Sequence, residues 1–223
     1  MFAGHVGAAL AIGRAERRVN VGVFILAAVL LDVVLWVFVL MGWESVTIPA
    51  DFADTHQVAF VFPYSHSLLA AIGWSALAGI ATFLWYPRLM PAKARAAALV
   101  AAAVFSHWLL DALVHAPELP IAGAGSAKVG LGLWNAMAAA IVVEAFIAVA
   151  GLYLFVPGAS MSRARKVGLS VLCLLILVFT VAGMTVAPPP PSAAAMAASS
   201  LATLAVICVL AGWLGRIPRE TRS

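Results

Sequence analysis

Six apolar runs, each about long enough to cross a bilayer and divided by short clusters of charge, leave this chain few folds to choose from. The runs are Asn20–Trp43, Tyr64–Tyr86, Ala94–His115, Val129–Val156, Val167–Val186 and Ala193–Leu214. In lipid, backbone N–H and C=O groups must be satisfied without water, so only helices or a closed barrel can span. The runs are continuous rather than alternating, which excludes the barrel. The expected fold is all-α: a polytopic membrane bundle of about six transmembrane helices. Met1–Gly13 is also apolar but only about 20 Å long as a helix, so it is expected as a short non-spanning helix. No basic segment precedes it, so it does not read as a cleaved signal peptide. Composition agrees, because a chain that is 65% hydrophobic and 10% charged lacks the polar surface of a water-soluble domain.

The charges alternate between connections. Arg14, Arg17 and Arg18 precede the first run, and Arg88, Lys93 and Arg95 follow the second. Arg163, Arg165 and Lys166 follow the fourth, and Arg216, Arg219 and Arg222 follow the sixth. The intervening connections carry Glu44, Asp51 and Asp54, then Glu118 with Lys128, then the uncharged PPPPS at 188–192. The positive-inside rule places every arginine cluster, and the C-terminus, in the cytoplasm of a multi-pass inner-membrane protein. The net charge of +4 therefore belongs to topology, and membrane lipid rather than nucleic acid is the expected partner. Cys173 and Cys208 lie in separate runs without ligand-like neighbours, so no disulfide is expected.

Ionisable groups within a span are expensive and mark function by default. Here they are Asp32, His66, His107, Asp111, His115 and Glu144, with His5 in the short first segment. In HWLLDALVH, positions 107, 111 and 115 fall within roughly 80° on a helix, giving one face of imidazole, carboxylate and imidazole. Interhelical hydrogen bonding explains His115 equally well, but a metal ion relieves both the buried charge of Asp111 and the polarity of His107. Asp32 and His107 each lie about 18–20 Å from the cytoplasmic end of their spans, and Asp111 about 6 Å further out. His66 opens the second span from outside, and a rising first helix lifts His5 about 13 Å. Depths converge; faces are not fixed by the sequence. Asn135 and Glu144 are nine residues apart, about 180° on a continuous helix, so they share a site only if GLGLWN at 130–135 is irregular.

These residues occur in an order that resembles a known family: Gly4-His5, Leu30-Leu31-Asp32, PYSHSLL at 63–69, His107 with Asp111, and VGLGLWN at 129–135 followed by Glu144. Together they are similar to bacterial integral-membrane proteins called membrane-bound metal-dependent hydrolases. The similarity covers residues 1–155 and leaves 156–223 as two scaffold spans with a short cytoplasmic tail. Many members carry D-x-D-H and H-R-G-x-T-H-S where this chain has Asp32-Val33-Val34-Leu35 and Phe62-Pro63-Tyr64-Ser65-His66-Ser67, which implies a reduced ligand set.

The expected function is a membrane-embedded hydrolase acting on an amphiphilic ester or phosphoester near the outer leaflet. His5, Asp32, His66, His107 and Asp111 are its candidate metal ligands, with Ser67, His115 and Asn135 supporting them. Imidazoles with carboxylate suit Zn²⁺ best among divalent ions. Glu144, an acid the ligand set does not need, is the candidate general base. The alternatives are a metal or proton pathway along the same polar line, and an accessory subunit whose buried groups only join helices, including a haem held by His66 and His107.

Overall fold

The computed structural model describes residues 1–86 and 92–216; Arg88, Arg219 and Arg222 of the charge clusters lie outside the described residues. The chain is a helical membrane bundle. Among the described residues, five helices are long and apolar enough to span: α5 (Leu68–Trp85), α6 (Lys93–Val114), α7 (Met137–Phe155, preceded by the 3-10 turn Leu133–Ala136), α8 (Arg163–Thr185) and α9 (Ala193–Leu214). A sixth crossing is a pair, α2 (Val21–Ala28) and α3 (Leu30–Met41), bent by 51° at Val29. The short first helix, α1 (Phe2–Gly13), does not span and lies buried among α2, α6, α7 and α8.

Local chemistry sets most boundaries. Asn20, Ser67, Ser162 and Ser192 accept the first free N–H groups of α2, α5, α8 and α9, as N-cap side chains do. Gly42, at φ 74°, closes α3 in the left-handed conformation that glycine adopts without penalty. The break within the first crossing differs from the single continuous span expected there. No proline or glycine stands at Val29. A side chain from another helix engages the backbone there instead: His107 Nδ1 lies 2.7 Å from Ala28 O at the end of α2. Side-chain insertion into the helical ladder is a recognised cause of kinks.

The arginine-rich segments meet at one end of the bundle. Arg95 donates to Ala15 O at 2.7 Å, and Arg165 donates to Arg216 O at 2.7 Å. The opposite end carries two small antiparallel hairpins and a single turn of helix, α4 (Phe52–Thr55). The first hairpin pairs β1 (Ser45–Thr47) with β2 (Ala59–Val61); the second pairs β3 (Leu119–Pro120) with β4 (Lys128–Val129).

Packing places α1 deep in the bundle. A Cβ on Gly7 would collide with the backbone of Ile147 and Ala148, and one on Gly151 with the backbone of Gly7. α1 and α7 thus touch backbone to backbone, as small residues allow in membrane bundles. The core runs through Val6, Leu10, Phe24, Ile25, Leu31 and Val104, all buried. Leu69, Leu84, Phe146, Tyr153 and Leu174 are exposed, forming the apolar outer belt that a lipid environment covers.

Candidate metal centre

Two residues one turn apart on α6 organise the site. His107 and Asp111 are both buried, and Asp111 Oδ2 lies 3.1 Å from His107 Nε2. Because Ala28 O can only accept, His107 Nδ1 donates to it, and Nε2 is the ring nitrogen turned inward. His66, immediately before α5, approaches from the far side with Nε2 3.1 Å from His107 Nε2. Its Nδ1 is 2.7 Å from Ser65 Oγ, and its carbonyl accepts from Trp108 Nε1 at 3.0 Å, which fixes the ring's position. Asp32, in the first turn of α3 beyond the break, brings Oδ1 to 3.6 Å from His107 Nε2 and 3.7 Å from His66 Nε2. Asp111 Oδ2 completes the group, 3.5 Å from His66 Nε2.

The spacing of these atoms can be compared with that of ligands sharing one ion. Four N or O ligands at about 2.0–2.2 Å in a tetrahedron stand about 3.3–3.6 Å from one another. Five of the six separations here run from 3.1 to 3.7 Å. With both Nδ1 atoms engaged elsewhere, each ring turns its Nε2 toward the oxygens of Asp32 and Asp111. The buried His and Asp groups can hold a metal ion: the candidate ligand atoms of His66, His107 and Asp111, and likewise those of His5, Asp32 and His107, lie within 4.8 Å of one another.

His5 stands beside the quartet on α1. Its Nε2 lies 3.2 Å from the other oxygen of Asp111, and its ring stacks on His107 with centroids 3.8 Å apart and planes 9° apart. The buried Nδ1 of His5 has no hydrogen-bond partner among the described residues. Met1 N also lies 3.3 Å from Asp111 Oδ1. The structure thus brings His5, Asp32, His66, His107 and Asp111 together. Glu144, buried on α7, sits at their edge: its Oε2 accepts from Gly4 N at 2.9 Å, and Oε1 lies 4.0 Å from Met1 N.

The supporting residues divide. His115 caps the end of α6, with Nε2 3.9 Å from Asp111 Oδ2, beyond hydrogen-bond reach, and Nδ1 2.5 Å from Glu118 Oε1. Ser67 is the N-cap of α5, accepting from Ala70 N; the hydroxyl that touches His66 belongs to Ser65. The 130–136 stretch is irregular, with Gly130 at φ 154° and a 3-10 turn before α7. Even so, Asn135 is exposed, and no hydrogen bond joins its side chain to the cluster among the described residues.

Three groups escape the sequence reading. The Ala28 carbonyl orients His107 and leaves no mark in residue types. Glu118 pairs with His115 at i, i+3, a spacing visible in HAPE but hidden by the proline that ends the helix. Glu44, buried and reading as a loop charge, accepts from Tyr64 N at 2.8 Å and Ser65 N at 2.9 Å, pinning the backbone that carries His66.

A cavity of about 500 Å³ reaches the cluster, with Asp32 and Glu144 in its wall alongside Trp36 and Trp134. A larger groove of about 890 Å³ lies between α3 and α5, lined by Phe38, Trp43, Tyr64 and Trp74, and none of the clustered ligands borders it. Comparison of the chain with family models, with curated proteins and with solved structures gives no match.

Proposed function

We propose that this protein is a membrane-embedded, metal-dependent hydrolase of amphiphilic esters, working near the outer leaflet of the bacterial inner membrane. The observation that carries the reading is the orientation of His107. With Nδ1 donating to Ala28 O, Nε2 faces a second imidazole and two carboxylates at 3.1 to 3.6 Å. His66, His107, Asp32 and Asp111 would hold that ion, and His5 would steady Asp111 from its other oxygen. Two imidazoles with carboxylate oxygens at tetrahedral spacing favour Zn²⁺ among divalent ions. When bound, such an ion lowers the pKa of water and polarises an ester oxygen.

The chain's own groups do the rest. Glu144 is outside the quartet yet borders the cavity that Asp32 also borders. Its Oε2 is anchored by Gly4 N, so Oε1 is the oxygen that takes a proton from the attacking water and later returns it to the leaving alcohol. The Glu118–His115 pair holds the outer end of α6 against movement of Asp111, as carboxylates steady imidazoles around metal sites. The likeness of PYSHSLL and VGLGLWN to membrane-bound metal-dependent hydrolases supports the same reading, as does the placement of the arginine clusters for sidedness.

The test is hydrolysis of ester and phosphoester lipids in proteoliposomes by wild type and Glu144→Gln. The amide keeps the bond to Gly4 N but takes no proton, so the rate should fall about 10²–10⁴-fold with metal retained. Equal rates would remove Glu144 from the chemistry. No hydrolysis by the wild type, with ion uptake instead, would replace the hydrolase with an ion pathway.

A further inference from the structure

The last two helices, which carry no ionisable residue within the membrane, form one wall of the cavity that reaches the site. On α8, Phe179, Thr180, Gly183 and Met184 line it; on α9, Ser199, Ser200, Thr203 and Leu204 do. Each set follows helical spacing, so each is one face. A Cβ on Gly183 would meet nothing, which leaves the chamber open at that point. Phe179 and Ser199 are exposed, so the chamber has a mouth on the outer belt between the two helices. At the inner end stand Asp32, Glu144 and Trp134, whose buried indole N–H has no acceptor. A volume of about 500 Å³ is within the ordinary size of small-molecule sites, about 300–1,000 Å³.

The polar lining identifies the kind of molecule. It consists of hydroxyls and two carboxylates, with Met1 N 4.0 Å from Glu144; no lysine or arginine is among the described lining residues. Thr180 and Ser199 each donate to their own helix, at 2.8 and 3.0 Å, and so offer lone pairs to the chamber. The hydroxyls of Ser200 and Thr203 make no hydrogen bond among the described residues and remain free to donate. A divalent ion held with Asp32 and Asp111 leaves the site near neutral. A phosphate group would then enter a low-dielectric chamber beside Glu144, where Met1 N is already drawn to Asp111 Oδ1 at 3.3 Å and to Glu144 Oε1 at 4.0 Å. A neutral ester meets no such cost.

We infer that the α8–α9 chamber is the substrate site, and that it takes a neutral, single-chain acyl ester whose alcohol carries free hydroxyls. This rests on the hydrolase reading for turnover, not for binding. The acyl chain lies against Phe2, Phe179 and Leu204, the hydroxylated alcohol along Ser200 and Thr203, and the ester at Asp32 and Glu144. In the reaction, water's oxygen bonds to the acyl carbon, the bond from that carbon to the alcohol oxygen breaks, and the alcohol leaves with the proton that Glu144 returns. Acid and alcohol are the products, and no oxidant or second substrate is needed.

Binding is tested on the full chain in nanodiscs after chelation, so that metal and turnover do not enter. The probe is a 1-O-alkylglycerol ether carrying a photoreactive diazirine in its chain, compared with the alkyl phosphate of the same length. Light should attach the glycerol ether to peptides of α8 and α9, and the phosphate should label there at least about tenfold less, the equivalent of about 1.4 kcal/mol. Thr203→Phe, which fills the chamber, should abolish the labelling; Thr203→Val, which keeps the shape and removes the hydroxyl, should weaken it without lowering the melting temperature. Labelling confined to the groove of Tyr64 and Trp74, equal labelling by the phosphate, or labelling unchanged in Thr203→Phe would each overturn the inference. Labelling as expected in a protein that binds no metal would leave the chamber standing and remove the hydrolase reading instead.

Discussion

At the scale of single residues, the site depends on which atom of each side chain is already committed. His107 and His66 spend Nδ1 on Ala28 O and Ser65 Oγ, and that leaves both Nε2 atoms for an ion. Asp111 spends Oδ1 on His5 and keeps Oδ2 for the centre. Asp111→Asn retains size but removes the charge, so metal affinity should fall at least about 100-fold, measured by competition with a chelator. Glu44 is a positioning residue of a different kind, holding two backbone N–H groups ahead of His66. Glu44→Ala leaves both unsatisfied, at about 1–3 kcal/mol each, and thermal unfolding should register the loss, while Glu44→Gln should recover most of it. The identities of the five clustered residues were legible from the cost of placing such groups in a span. Their partners were not: backbone carbonyls and amides have no residue type, so the acceptor on α2 and the donors to Glu44 are invisible in the chain.

At the scale of elements, two departures from regular helix make the site. The bend at Val29 turns α3 so that Asp32 faces α6, and the run AAVLLDVV gives no sign of it because the cause lies on another helix. Depth could be counted along each span, but facing depends on tertiary packing, and that is why the sequence aligned heights without fixing neighbours. The second departure is the GLGLWN stretch, which folds back over the end of α6: Leu131 N donates to Ala112 O at 2.8 Å and Gly132 N to His115 O at 2.7 Å. A Cβ on Gly130 would strike Ala116 O and His115 O at a φ of 154°, so Gly130→Ala should cost at least about 1–3 kcal/mol and loosen His115. α1 supplies a sharper test, because its seat against α7 requires Gly7. Gly7→Leu should displace His5 and weaken metal binding without altering any ligand. Gly73→Leu, on α5 where a Cβ meets nothing, should leave metal binding unchanged.

At the scale of the whole molecule, the bundle keeps its arginine-rich segments at one end and its irregular backbone at the other. Six crossings follow if the bent pair counts as one, and the arginine-rich segments share an end through contacts such as Arg95 with Ala15 O. Cysteines introduced at Asp54 and Ser192 should label from outside intact cells, and one at Arg165 only after permeabilisation; the reverse pattern would invert the bundle and move the chamber to the inner leaflet. Within that frame everything rests on the polar cluster being a metal centre rather than a knot of hydrogen bonds between helices. The direct measurement is the metal content of the purified full chain, by mass spectrometry, for wild type, His107→Ala and Glu144→Gln. The account predicts about one divalent ion, Zn²⁺ foremost, per chain in wild type and Glu144→Gln, and none in His107→Ala. A wild type that binds no ion when folded and supplied with Zn²⁺, Mn²⁺ or Fe²⁺, or a His107→Ala protein that keeps a full complement, would contradict it.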